Sequence, residues 1–297
     1  MFPPSARHDF DRKDDMDTVL LSETTDVKEV LPLDAPLPQS RYSFSQRFRS
    51  GYHALWYRLS DGLKWSRGLY RETPVGHLTQ FRGKRLARIA VLQRRFDVRF
   101  EQQYAVMTAI KSYDYLDILD QAWTFLGKPR PVGGVMHDVG ASNFWYARAL
   151  HAFFSPASLT GVEVEGYRIY SNGYSRWDYA QGYVADLPRT SFKVCDYTQY
   201  TDSADTIIAW FPFVSAAPVL AWRMPLRVLS PHTLFRRVAE NLSPGGLFVM
   251  VNQGCEEAMI AFDRCRRAGL QFENSCEVRS TVRPRRIPPV VSWWRCC

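Results

Sequence analysis

From Val132 onward the chain changes rhythm. Short apolar runs alternate with stretches of helical character, and this alternation limits the fold more than any other feature of the sequence. Strands are expected at 133–139, 158–164, 191–195, 206–211 and 246–252, with helices at 142–154, 175–184, 231–241 and 256–268 between them. A helical turn is also expected around Tyr167–Tyr170. Strands that alternate with helices imply a mostly parallel sheet covered on both faces, a doubly wound α/β domain. The last two runs, 272–283 and 290–295, are joined by the proline-rich segment 284–289, which leaves no room for a helix. They predict a hairpin at one edge of the sheet.

The first 128 residues are of another kind. Residues 1–40 carry nine acidic and four basic side chains, a net charge of −5, and include five prolines. Their single short apolar run, Val19–Leu21, cannot offset the entropy of ordering such a segment, so a disordered acidic tail is expected. Residues 41–100 reverse the charge, with fourteen basic and three acidic side chains and a net of +11. Residues 41–128 read as a basic helical region, and 129–297 as the α/β domain. Between Gly83 and Phe100, Lys84, Arg88, Arg95 and Arg99 share one arc of a helix, while Leu86, Ile89 and Phe96 share another. The expectation is an exposed basic face able to attract an anionic partner, RNA or a phospholipid surface among them. A second helix over 101–126 presents Tyr104, Met107, Leu116, Leu119, Trp123 and Leu126 inward and stops at Gly127.

The six cysteines, at 195, 255, 265, 276, 296 and 297, contain no Cys-x-x-Cys pair, so no metal site is expected. Neither an export signal nor an apolar stretch of membrane-spanning length is found, which predicts a cytoplasmic protein with reduced thiols.

The chemistry is concentrated at strand ends. The first strand runs into His137-Asp138-Val139-Gly140-Ala141-Ser142, a turn whose glycine lets the backbone approach a ligand. The second strand ends at Glu163, where a carboxylate can accept from both hydroxyls of a ribose, and the third at Asp196-Tyr197, where an acid can meet an exocyclic amine. In open parallel sheets, ligands bind beyond the carboxyl ends of the strands. Of the three glycines in a nicotinamide fingerprint only Gly140 is present, with Ser142 and Trp145 at the other two positions. A Gly-x-Ser-x-Gly nucleophile elbow is also missing.

These features resemble the class I S-adenosylmethionine-dependent methyltransferases. The turn Asp138-Val139-Gly140-Ala141-Ser142 is similar to the family's first motif, and Glu163 to its ribose-binding acid. Asp196 and Tyr197 match the adenine-binding pair. Leu242-Ser243-Pro244-Gly245-Gly246 closely resembles the turn before the fifth strand, and the terminal hairpin fits the reversed seventh strand. The likeness covers 132–297 and departs at Ser142, where the family has a second glycine.

The resemblance implies a methyltransferase-like Rossmann domain that binds S-adenosylmethionine through Asp138, Gly140, Ser142, Glu163, Asp196 and Tyr197. Trp210, Phe211 and Phe213 are expected in the wall of the substrate pocket. No Asn-Pro-Pro-Tyr follows the fourth strand, where Trp210-Phe211-Pro212-Phe213 stands, so a planar amine is disfavoured as acceptor. A small molecule is the expected acceptor. The alternatives are an RNA methyltransferase and a catalytically inactive binding or scaffold protein. Methyl transfer from an activated donor needs positioning more than a base. His137, Glu165, Asn252 and His232 are the titratable or polar residues near the strand ends.

Overall fold

A computed structural model describes residues 42–78 and 81–296. The acidic segment 1–40 lies outside the described residues. The elements in chain order begin with three helices, α1 (Phe44–Leu63), α2 (Lys84–Phe96) and α3 (Val106–Leu126). They continue with β1 (Val135–Val139), α4 (Ala147–Phe154), β2 (Ser158–Glu163), α5 (Arg176–Val184), β3 (Thr190–Val194), β4 (Ala204–Trp210) and α6 (Ala216–Ala221). The chain closes with α7 (Pro231–Asn241), β5 (Leu242–Asn252), α8 (Cys255–Arg267), β6 (Gln271–Glu277) and β7 (Val290–Arg295).

The seven strands form one sheet in the order β3-β2-β1-β4-β5-β7-β6. The pairings from β3 through β5 are parallel, while β7 runs antiparallel to both β5 and β6. The expected hairpin is therefore present, with β7 inserted beside β5 and β6 at the edge. The side-chain period of two divides the central strands between two cores. Ile208, Trp210, Val249, Val251 and Trp293 face one core; Ile207, Ala209, Phe248, Met250 and Trp294 face the other. The first core is closed by α2 to α5, the second by α7 and α8. Strands buried on both faces read as continuous apolar runs, which is why they were visible in the sequence.

Three expectations need correction. Residues 64–78 and 81–83 are not helical. Their backbone is held in place by distant partners instead. Asp178 accepts from Arg67 N at 3.0 Å and binds the Ser66 hydroxyl, and its carbonyl accepts from Tyr70 N at 3.1 Å. Glu72 accepts from Ala105 N (2.8 Å), the Thr108 hydroxyl (2.7 Å) and the Tyr183 hydroxyl (2.8 Å).

The basic face of α2 is also partly engaged within the chain. Arg88 donates to Asp117 at 2.5 Å and to Asp120 at 2.8 Å, and Arg95 meets Asp120 at 2.9 Å. Asp114, Asp117 and Asp120 form a buried acidic stripe along α3, one turn apart, and Arg285 pairs with Asp114. Burial raises the Asp114 carboxyl, against the pull of Arg285. Two of the four grouped cations, Arg88 and Arg95, thus tie α2 to α3, while Lys84 and Arg99 stay exposed. Leu86 and Met107, read as inward, are exposed by 41% and 59%.

Finally, the helix after β1 starts at Ala147 rather than 142. Ser142 and Phe144 adopt left-handed φ angles of 53° and 56°, which no helix continues. Phe144 is fully buried, and β2 makes room for it with Gly161, where a Cβ would come within 2.6 Å of the ring. Among the described residues, no helix is long and apolar enough to cross a membrane.

Candidate active site

A cavity of about 220 Å³ opens beyond the carboxyl ends of β1 to β4. It gathers Gly140 and Ser142 from the turn after β1, Glu163 from the end of β2, Asp196 and Tyr197 after β3, and Trp210, Phe211 and Phe213 from the end of β4. Eight of the nine residues singled out in the sequence therefore line one cavity.

Asp138 is the ninth, and it stands behind the wall. It is fully buried, and its Oδ2 accepts from the Tyr146 hydroxyl at 2.6 Å. Tyr146 in turn lines the cavity. Burial pushes the Asp138 carboxyl up to about 8, more than the Tyr146 hydrogen bond pulls it down. At neutral pH this side chain is protonated, a neutral anchor rather than a charged ligand.

Gly140 has a φ of 74°, and a Cβ there would project into open space. The turn's backbone is thus exposed to whatever fills the cavity. Ser142 carries the same handedness with a side chain, a strain of about 1 kcal/mol. Its amide donates to Glu163 Oε2 at 2.8 Å. Glu163 Oε1 accepts from Glu165 N at 2.9 Å and from Arg176 Nη1 at 3.3 Å. A carboxylate offers about four lone-pair sites, so about one remains open on Glu163.

Arg176 is almost fully buried and bridges Glu163 and Glu165, at 3.3 Å from each. Burial raises Glu165 to about 7, against the pull of Arg176 and Arg168. Asp196 is less committed: Oδ1 accepts from Thr198 N at 2.9 Å, and no donor among the described residues meets Oδ2.

The remaining wall is aromatic. Tyr115 from α3 stacks on Trp210 with ring centroids 3.9 Å apart, and Trp145 meets Tyr115 edge-on at 4.7 Å. The buried indole N–H of Trp210 has no partner among the described residues. Burial holds the Tyr115 hydroxyl well above its ordinary range. Tyr115, Trp145, Tyr146, Arg176, Trp222 and Glu257 all line the cavity without having been singled out in the sequence. They come from α3, the β1–α4 turn, the start of α5, the end of α6 and α8, and no local motif marks them. Burial raises Glu257 above the usual carboxylate range.

The four strand-end residues considered for proton transfer do not line the cavity. His137 is buried, lowered to about 4 by desolvation, and its Nδ1 lies 3.2 Å from the Tyr197 hydroxyl. Glu165 belongs to the arginine network, Asn252 is fully buried, and His232 lies at the start of α7. Among the described residues, no group of three or more His, Cys, Asp or Glu could hold a metal ion.

No protein-family model matches the chain, and no curated protein matches its sequence. Solved structures do match. An S-adenosylmethionine-dependent methyltransferase from Aquifex aeolicus is 12% identical over 63% of this chain and 97% of its own, with a TM-score of 0.46. One from Mesorhizobium loti is 17% identical over 60% and 99%, with a TM-score of 0.41. The [4+2]-cyclase SpnF is 12% identical over 78% and 99%, with a TM-score of 0.45. At such identities the sheet itself is the firmer guide. Its order, β3-β2-β1-β4-β5-β7-β6 with β7 reversed, gives this chain the fold of the class I S-adenosylmethionine-dependent methyltransferases.

Proposed function

We propose that this chain is a cytoplasmic methyltransferase that uses S-adenosylmethionine and acts on a small molecule. One observation carries the reading: a single cavity collects Gly140, Glu163 and Asp196 from the carboxyl ends of three successive strands. The donor set fits the cofactor. Asp196 Oδ2 is an open acceptor for an amine, Glu163 keeps one acceptor site for a ribose hydroxyl, and the Gly140 turn borders open space.

When bound, S-adenosylmethionine supplies an already activated methyl group, so the protein's part is binding, alignment and exclusion of water. Ser142 and Gly140 shape the turn over the first strand. Tyr197 adds a flat side chain beside Asp196, its hydroxyl tied back to His137. Asp138, protonated and bonded to Tyr146, holds that ring in the wall. Trp210, Phe211 and Phe213, with Tyr115 and Trp222, form an aromatic surface suited to a flat or apolar acceptor. Glu257 is the carboxylate available on the α8 side to take a proton from such an acceptor.

The test is a titration with S-adenosylhomocysteine, followed by melting temperature and calorimetry. Glu163→Gln keeps the size of the side chain and removes its charge; it should weaken binding by about 1–3 kcal/mol.

The ion pair between Arg176 and Glu163 favours a second reading, a catalytically inactive binding or scaffold protein, because the ribose acid already has a cationic partner. Absence of cofactor binding would select it. An RNA acceptor loses its main support, since Arg88 and Arg95 are engaged with α3.

A further inference from the structure

Helix α1 is turned inside out. Its inward side is polar or small, made by Gln46, Ser50, His53, Ala54, Tyr57 and Ser60, all half-buried. Ser50 Oγ accepts from Leu226 N at 2.9 Å, and the Tyr57 hydroxyl donates to the Val164 carbonyl at 3.1 Å. Arg49 reaches the Leu220 carbonyl at 3.4 Å. The capping box at Ser43 and Gln46 fixes the start of the helix.

The outward side is apolar. Phe44, Phe48, Tyr52, Leu55, Leu59 and Leu63 point to solvent with Trp56 at their edge; Phe44 is 78% exposed, Phe48 71% and Leu63 71%. At about 100° per residue these seven fall within an arc of about 120°. Scattered exposed apolar residues are ordinary, but a continuous row along twenty residues of helix is not. A surface helix normally presents the opposite arrangement, apolar side to the core.

The charges around the row identify what it faces. On the same wheel Arg49 borders one edge, and Arg47 and Arg58 border the other. Asp61, the one acid of α1, falls on the far side. Phe, Tyr, Trp and Leu on one face with arginines along its borders is the composition of a helix that lies in a membrane interface, with Arg47 and Arg58 placed to reach headgroups while Arg49 is turned to the Leu220 carbonyl. A second copy is a poor match. Pairing two such helices would set arginine borders beside one another, with no acidic border to receive them.

We propose that α1 is a membrane-surface helix that seats this protein on anionic phospholipid. The helix does not span; its apolar row enters the headgroup boundary while its polar side stays bonded to Val164, Leu220 and Leu226.

The experiment is vesicle co-sedimentation of the full chain. One set of vesicles is phosphatidylcholine, the other contains about 30% phosphatidylserine. Binding should be several-fold stronger to the anionic vesicles and should fall at high salt. The double change Phe48→Ser and Trp56→Ser should lower it about tenfold or more, with the melting temperature unchanged because neither side chain is buried. Arg47→Gln with Arg58→Gln should remove most of the preference for anionic vesicles. Failure of the wild type to bind anionic vesicles overturns the proposal, as does equal binding by the Phe48 and Trp56 variant. A lipid-free dimer in analytical ultracentrifugation that the same variant dissolves would instead assign the row to a second copy.

Discussion

Replacing Asp138 by Asn isolates one buried proton. Asp138 is fully buried in β1, its side chain bonds only the Tyr146 hydroxyl among the described residues, and it is raised by burial to about 8 from a usual 3.8. Between those values the folded chain keeps a proton that the unfolded chain has released. Folding therefore takes up a proton, and stability falls as pH rises, by about 1.4 kcal/mol per pH unit. From pH 5 to pH 8 the loss approaches 4 kcal/mol. Asparagine has no proton to lose and keeps an acceptor for Tyr146. Its amide adds a buried N–H without a partner, which costs about 1–3 kcal/mol. The variant should thus be the less stable protein at pH 4, gain on wild type by about 1.4 kcal/mol per pH unit above that, and be the more stable one by pH 8. The difference should level off above pH 8, once the native carboxyl ionises. His137, lowered by burial to about 4, has the opposite slope: its contribution is present above 6.5 and lost as pH falls toward 4. It is common to both proteins and cancels from the difference. The assay is urea unfolding followed by tryptophan fluorescence at four pH values. A difference in stability independent of pH would mean instead that Asp138 is ionised in the folded chain.

Ser142→Gly should raise or preserve affinity for S-adenosylhomocysteine, since it relieves a left-handed φ of 53°; a large loss, read by calorimetry, would mean that the hydroxyl itself holds the ligand. Asp117→Ala strips partners from Arg88, the Ser280 hydroxyl and Thr281 N at once and should destabilise the fold by about 3–5 kcal/mol in urea unfolding. Arg95→Ser with Arg99→Ser should cost far less, about 0.5–1 kcal/mol, because the Arg95 partner in the Asp120 pair is half-exposed. In filter binding at two salt concentrations, the wild type should show only weak, salt-sensitive RNA attraction; tight, sequence-selective RNA binding would reopen the choice of acceptor.

The sheet was readable because its strands are buried on both sides, and their apolar runs need no partner to be seen. The ends of those strands were readable for the same reason: Gly140, Glu163 and Asp196 follow directly from locating β1, β2 and β3. What failed depended on contacts between distant elements. Helical angles correctly grouped Arg88 with Arg95 but could not say which way the arc faced. The clue lay elsewhere, in Asp114, Asp117 and Asp120 spaced three apart within an apolar helix. Residues 64–78 look helical by composition and are held in an irregular path by Asp178 and Glu72. The turn after β1 delays α4 to Ala147 because Phe144 drops into the space left by Gly161, a match between two strands' worth of chain. The aromatic lining suffers from the same limit: Tyr115 reaches Trp210 from a helix nearly one hundred residues earlier. In α1 the pattern was amphipathic all along, but only the packing shows that the apolar side is the outer one.

The proposed activity requires that the cavity at the ends of β1 to β4 bind S-adenosylmethionine. Calorimetric titration of the wild-type chain with S-adenosylhomocysteine, with the melting temperature measured alongside, tests it most directly. One site per chain is expected, with a rise in melting temperature that grows with ligand concentration and weaker binding by Glu163→Gln. No heat and no shift at millimolar ligand would contradict it and leave the fold in the service of binding alone.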